Sequence, residues 1–410
     1  MMEICKECLY PSIHPLGIIF EDGVCSGCKI HKEKYEINWK DRIKELSDIF
    51  KVYKAINNYD CIIPVTGSGD SFYIVHQVKN VFNMNPLLVT YNNQFNTSTG
   101  IRNLARLKMK FDCDLVTLTI DPQIVKKITR ETILRKGSIY WQSIAGQTVF
   151  PVQIACKFKI PLIIWGAHQG LDQVGMYSHH DRVEMSRKYR YEHDLMGLEA
   201  EDLIGGFEGL TESEVMPFIY PQDEEIASVG VRGIYLNNYM FWNSRLQHEA
   251  MINNYGYESM KQTRTFDTYS NASCWNYNDL HDKIKYLKHG FGKVVDHASR
   301  EIRLGQMTRN EGINLVLRFI NLPPVHDQKF YDWFGVTRIG LNHVLDKFRN
   351  PIFWNKREDL QWEYCGPYKE NLTNIEAIQC GTFKPYTETL KINGTDPEDE
   401  YIVIGKGLGN

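Results

Sequence analysis

The stretch Cys61-Ile62-Ile63-Pro64-Val65-Thr66-Gly67-Ser68-Gly69-Asp70-Ser71-Phe72 most narrows what this chain can become. A short apolar run ends in a turn of small residues, and a helical pattern begins at once. Thr66, Gly67, Ser68 and Gly69 carry little side chain, so their backbone N–H groups can approach a ligand. A helix starting near Ser71 aims its positive end at the same spot. The pattern predicts a phosphate cradle, with Asp70 offering a carboxylate to a phosphate-bound Mg²⁺. A strand-to-helix turn with no ligand is the plainer alternative.

Two familiar phosphate loops are excluded. The eight-residue P-loop needs Gly-Lys-Ser/Thr at its end, and no Lys stands here. A dinucleotide fingerprint needs a third Gly where Phe72 stands. Thr66-Gly67-Ser68-Gly69-Asp70-Ser71 instead resembles the Ser-Gly-Gly-x-Asp-Ser loop of the PP-loop ATP pyrophosphatases. That resemblance implies ATP cleavage between the α- and β-phosphates. The sequence departs from the loop at Ser68, which replaces the second Gly, and at Gly69, where close relatives often carry Lys.

Cys5-x-x-Cys8 and Cys25-x-x-Cys28, sixteen residues apart, form two knuckles that predict a closed thiolate site for a structural Zn²⁺. About thirty residues cannot build a core alone, so the metal is expected to supply folding energy there. Ten cysteines in a chain with no secretory leader fit thiols and metal ligands in the cytoplasm. No apolar run reaches the roughly 18 residues of a membrane helix. Net charge is −3 and no Lys/Arg stripe is visible, which argues against nucleic acid as a partner.

Helical spacing is read between Lys32 and Asn57, from Ser71 to Val81, from Thr97 to Lys110, after the Asp121-Pro122 cap, and from Ala145 to Phe158. Between them lie four apolar strands: Cys61–Val65, Pro86–Thr90, Leu115–Thr119 and Pro161–Trp165. This alternation predicts an α/β fold, a doubly wound parallel sheet whose ligands bind past the carboxyl ends of the strands. Tyr91 and Asn92 end one strand; Gly166, Ala167 and His168 end another. The organisation expected is a four-cysteine zinc-binding module over residues 1–36 and an ATP-binding α/β domain over 37–235 with an insertion at about 168–230. A mostly helical region and tail fill 236–410. His179-His180-Asp181 reads as solvated loop rather than metal site, and Asn393-Gly394 with Gly405, Gly407 and Gly409 as a hairpin or docked tail.

Several stretches together resemble the N-acetyl sugar amidotransferases, bacterial enzymes of the PP-loop superfamily that make acetamidino sugars for surface glycans such as lipopolysaccharide O-antigen. They are the thiolate quartet, Ile37-Asn38-Trp39, and Asn92-x-x-Phe95-Asn96-Thr97. To these add His281-Asp282-Lys283-x-Lys285-Tyr286-Leu287-Lys288-x-Gly290-Phe291-Gly292 and Asp296-His297-Ala298-Ser299-x-x-Ile302-Arg303-x-Gly305-x-Met307-Thr308-Arg309. The resemblance implies an acetamido sugar as substrate, ATP with Mg²⁺, and ammonia from a glutaminase with a cyclase-like channel partner. By it, Thr66 to Ser71 hold pyrophosphate, Asp70 holds Mg²⁺, and Tyr91 and Asn92 lie near adenine and ribose. Lys285, Lys288, Arg300, Arg303 and Arg309 are the candidates to replace the missing loop Lys. Trp165-Gly166-Ala167-His168-Gln169 departs from the relatives' Gly-Glu-Asn, so His168 is expected to contact the sugar or its amide, or to act as a base. Two other readings stay open on the residues: a PP-loop tRNA-modifying enzyme, and a non-catalytic ATP-binding scaffold.

Overall fold

In the computed structural model, residues 3–55, 58–369 and 383–389 are described. Asn393, Gly394, Gly405, Gly407 and Gly409 lie outside them. A small hairpin, β1 (Phe20–Glu21) and β2 (Val24–Cys25), leads into α1 (Ser26–Glu33) and α2 (Trp39–Tyr53). The central sheet has five parallel strands in the order β5-β4-β3-β6-β7: β3 Cys61–Pro64, β4 Pro86–Asn92, β5 Leu115–Thr119, β6 Leu162–Trp165, β7 Arg232–Tyr235. The order reverses between β3 and β6, and that is the switch point at which such sheets open a crevice.

Alternation along the strands divides the core into two faces. Ile62, Leu87, Val89 and Ile163 pack with Val149, Val152 and Ala155 of α6 (Trp141–Phe158). Ile63, Leu88 and Ile164 point the other way, into a cluster with Leu46 and Phe50 of α2, Phe72 and Val75 of α3 (Gly69–Val75), and Met251 of α7 (Ser244–Tyr255). Helices on both faces make the sheet doubly wound, as expected. Local caps follow the sequence signals: Thr97 accepts from Gly100 N–H to start α4 (Ser98–Lys110), and Asp121 accepts from Gln123 N–H to start α5 (Pro122–Lys136).

The fifth strand is a correction to the four expected. Arg-Gly-Ile-Tyr has no apolar run, yet it pairs in parallel with β6 from Leu162↔Arg232 to Trp165↔Tyr235. The C-terminal region is helical, with α8 (Asp282–His289), α9 (Lys293–Arg303) and α10 (Arg309–Phe319), but it also holds an antiparallel hairpin, Trp354–Lys356 with Trp362–Tyr364. The four cysteines, Leu9 and Tyr10 share one hydrophobic core with Phe291, Val295, Ala298 and Val316. The knuckles therefore lean on α9 and α10 rather than standing alone. Among the described residues no helix is long and apolar enough to cross a membrane.

Candidate nucleotide and substrate cavities

The loop's shape follows from its small residues. Gly67 sits at φ +72°, and a Cβ there would come within 2.9 Å of Leu104 N. Ser68 caps α3 and accepts from Ser71 N–H at 3.3 Å, and Thr66 N–H donates to Ser71 Oγ at 3.1 Å. The Gly69 departure has a physical reason. A Cβ on Gly69 would lie 2.5 Å from the His248 ring, so no Lys fits there. His248, buried on α7, places Nε2 2.9 Å from Asp70 Oδ1. Asp70 keeps the rest of its carboxylate turned to solvent, 46% exposed, and free to meet a cation.

The loop faces α9 across a cavity of about 250 Å³. Thr66, Ser68 and Asp70 form one wall, while Lys293, Arg300 and Arg303 line the other. The three cations are not equivalent. Arg300 is committed to Asp267 at 2.7 Å and Glu301 at 2.8 Å. Arg303 lies against the cysteines, 3.4 Å from Cys25 Sγ and Cys28 Sγ and 3.7 Å from Cys8 Sγ, and donates to the Gln173 carbonyl. The Lys293 ammonium touches only neutral groups, Asn278 Oδ1 at 2.6 Å and the Tyr277 ring face at 3.9 Å, while its backbone N–H donates to Asp282 Oδ1. Burial pushes its pKa down to about 7, against the opposing pull of Asp282.

The remaining candidates fall elsewhere. Lys285 pairs with Asp296, whose carboxylate lines the cavity, and covers the Phe291 ring, so it is once removed from the space. Lys288 is three residues on, but it donates to the Lys136 carbonyl at 2.6 Å and does not line the cavity. A three-residue step on a helix turns about 300°, and here the two lysines meet different neighbours. Arg309 donates to the Cys5 and Cys8 carbonyls and serves the knuckle. Tyr91 is buried under α6, its hydroxyl donating to Gln142 Oε1 at 2.5 Å, and Asn92 donates to Thr119 Oγ1 at 3.1 Å. Neither lines the cavity. Gly166 is wedged between Ile74 and Trp242, where a Cβ would meet them at 3.0 and 3.2 Å.

His168 turns into a second cavity of about 150 Å³, which shares Ala167 and Gln169 with the first. Burial holds its pKa down to about 4, so near neutral pH the ring is uncharged and a weak base. It suits hydrogen bonding to a substrate better than proton removal. His179 corrects the solvated-loop expectation: it is 2% exposed beneath Trp39, while neighbouring His180 is exposed.

Cys5, Cys8, Cys25 and Cys28 form a cluster able to hold a metal ion, with all four Sγ atoms within 4.8 Å of one another. The edges Cys8–Cys25 and Cys5–Cys28 measure 3.6 and 3.9 Å. Four sulfurs about 2.3 Å from a tetrahedral Zn²⁺ stand about 3.8 Å apart, so the donor set fits zinc with no open position. Cys8 N–H and Cys25 N–H point at Cys5 Sγ, at 3.5 and 3.3 Å, as thiolates require of their surroundings.

His248 and Lys293 escaped the sequence reading. The first is 178 residues from its partner Asp70. The second stands between the two quoted C-terminal blocks and is marked only by the Gly292 turn before it.

The fold and loop define a doubly wound α/β protein with a turn of small residues leading into a helix at its switch point. Residues 263–367 match the family model described as "LPS biosynthesis protein WbpG-like, C-terminal domain". The chain carries within that matched segment both C-terminal blocks that resemble the N-acetyl sugar amidotransferases. It is also 28% identical over 119 residues to an uncharacterized protein, MJ1599, of Methanocaldococcus jannaschii, a match that spans 28% of this chain and 43% of that protein, less than half its length. Among solved structures, NMN synthetase from Francisella tularensis is similar at 14% identity over 54% of this chain and 94% of that one, with a TM-score of 0.27.

Proposed function

We propose that this chain is an ATP-dependent amidotransferase of lipopolysaccharide-type glycan biosynthesis that converts an acetamido group to an acetamidino group. One observation carries the reading: the phosphate loop and α9, which belongs to the family-matched segment 263–367, face each other across one cavity. An amide carbonyl is a poor electrophile. Its oxygen attacks the α-phosphate of ATP and pyrophosphate leaves; ammonia then adds to the imidate carbon and AMP leaves. Thr66 to Ser71 hold the pyrophosphate and Lys293 meets its charge, so the chain's work is positioning and electrostatics. Asp70 is the residue that would hold Mg²⁺, with His248 fixing the carboxylate.

The test is a mass-spectrometric screen with ATP, ammonium and acetamido sugars. Exchange of the amide oxygen for NH leaves a slightly lighter sugar, alongside AMP and pyrophosphate. ADP and phosphate as products would remove the PP-loop chemistry. Asp70→Asn is expected to slow AMP formation roughly 10- to 100-fold, the range seen when metal-site support is lost, with nucleotide affinity little changed. Equal losses in affinity and turnover would take Asp70 out of this role.

The four N-terminal cysteines are gathered at the metal cluster, which leaves none of them as a glutaminase nucleophile. The isolated chain is therefore expected to use ammonium and not glutamine. A cognate glutaminase with its cyclase-like channel partner should confer glutamine use. Glutamine turnover by the chain alone would overturn this.

A further inference from the structure

The second cavity lies past the carboxyl ends of β6 and β7, beside the loop and separate from it. Its walls carry Trp165, His168, Tyr189, Arg190, Asp194 and Tyr235. The His168 ring is packed by Tyr189 at 4.3 Å and Tyr235 at 4.7 Å, and Tyr235 stacks against Trp165. Four buried polar atoms of these residues have no hydrogen-bond partner in the protein: Trp165 Nε1, His168 Nδ1, Tyr189 Oη and Arg190 Nη2. His168 and Arg190 are only 2% and 4% exposed. Buried polar groups are rarely left unmatched, so these atoms call for a ligand.

The inventory selects its chemistry. Trp165 and Arg190 can only donate, so the ligand must bring acceptors. Asp194 lines the same space and offers a carboxyl group to a hydroxyl; burial raises its pKa to about 7. Aromatic faces call for a flat C–H surface. A phosphate is disfavoured because Arg190 is already neutralised by Glu199 at 2.7 Å, and Asp194 adds negative charge. Ammonium is disfavoured because the unmatched atoms are mainly donors. The volume of about 150 Å³, smaller than the loop's cavity of about 250 Å³, suits a single sugar ring.

We propose that this cavity is the subsite for the ring of the N-acetyl sugar, with Trp165, His168, Arg190 and Asp194 reading its hydroxyl and amide groups. The assignment rests on the acetamido-sugar reading above. A ring seated here would present its acetamido group across the Ala167–Gln169 rim, the border with the loop's cavity.

The experiment uses the full chain with N-acetylglucosamine and N-acetylgalactosamine as probes, read by saturation-transfer NMR with and without a non-hydrolysable ATP analogue. At least one sugar should bind, and the analogue should not displace it. Trp165→Phe keeps a ring and removes the N–H; it should weaken sugar binding about tenfold and leave analogue affinity unchanged. Should Trp165→Phe melt early, His168→Asn carries the same expectation, and in turnover it should raise the KM for sugar but not for ATP. No binding of either sugar, displacement by the analogue, or wild-type sugar affinity in both variants would overturn the subsite. Failure of the reaction reads differently: sugar held here with no amidine product sinks the amidotransferase and spares the subsite. Amidine made with an unchanged sugar KM in both variants does the reverse.

Discussion

Cys25→Ser is expected to unfold far more than the knuckle that carries it. Zinc on four thiolates contributes on the order of 10 kcal/mol or more of folding free energy in small domains. Here the cluster is also the seat of Arg303, which lies against three of the four sulfurs. Without the metal and its thiolates, that buried guanidinium loses its counter-charge, at a cost of about 3–5 kcal/mol. The knuckle's backbone is tied to the C-terminal helices as well. Leu9 N–H donates to Ser299 Oγ at 3.3 Å, Tyr10 Oη to Asp296 Oδ1 at 3.0 Å, and Tyr368 Oη to the Leu9 carbonyl at 2.8 Å. Losses of this size rival the whole stability of a domain. The melting temperature should therefore fall by roughly 20 °C or more. Hydrogen exchange should show lost protection in α9 as well as in residues 5–28. Elemental analysis of the wild type should find one zinc per chain. Zinc-free protein with intact thiols and an unchanged melt would defeat this account.

The sheet and the knuckles were legible because their signals are local. Apolar runs such as Leu87-Leu88-Val89 and Pro161-Leu162-Ile163-Ile164 mark strands buried on both faces, and Cys-x-x-Cys spacing reports a ligand set within a few residues. What stayed hidden depends on contacts that no local pattern encodes. Arg232–Tyr235 is a strand because β6 offers it an edge, not because Arg-Gly-Ile-Tyr prefers one. The hairpin Trp354–Lys356 with Trp362–Tyr364 is anchored by Trp354 and Tyr364 packing on Tyr286, far back in the chain. His248 answers the absent loop Lys from α7, and only the fold brings it to Gly69. Lys285 and Lys288 were plausible from spacing alone, but a cation's role is set by what it faces. One faces Asp296, and the other a carbonyl of α5.

Lys293→Met is expected to abolish most AMP formation while leaving the fold at least as stable. Three cations line the wall opposite the loop, and two are already neutralised, Arg300 by carboxylates and Arg303 by the cysteine cluster. Lys293 alone among these three has an ammonium that touches only neutral groups, so it is the one whose charge a departing pyrophosphate can claim. A cation placed on transferring phosphoryl groups is worth roughly a thousandfold or more in turnover. The stability effect has a definite sign. Burial pushes Lys293 down to about 7 in the folded chain, against roughly 10.4 unfolded. The folded state thus disfavours the ammonium: the penalty is absent above the unfolded value, grows as pH falls between the two, and is complete below the folded one. Met removes it, so the variant should gain most in melting temperature near pH 6 and little near pH 10. Ligand binding reverses the shift, because a polyphosphate beside Lys293 favours its charged form. At pH 8 the wild type should take up close to one proton on binding inorganic pyrophosphate. Calorimetry in two buffers of different ionisation enthalpy reads that uptake directly, and Lys293→Met should lose it. Equal proton uptake by the two proteins, or near-normal AMP formation by the variant, would remove Lys293 from the pyrophosphate and return the question to Arg300 and Arg303.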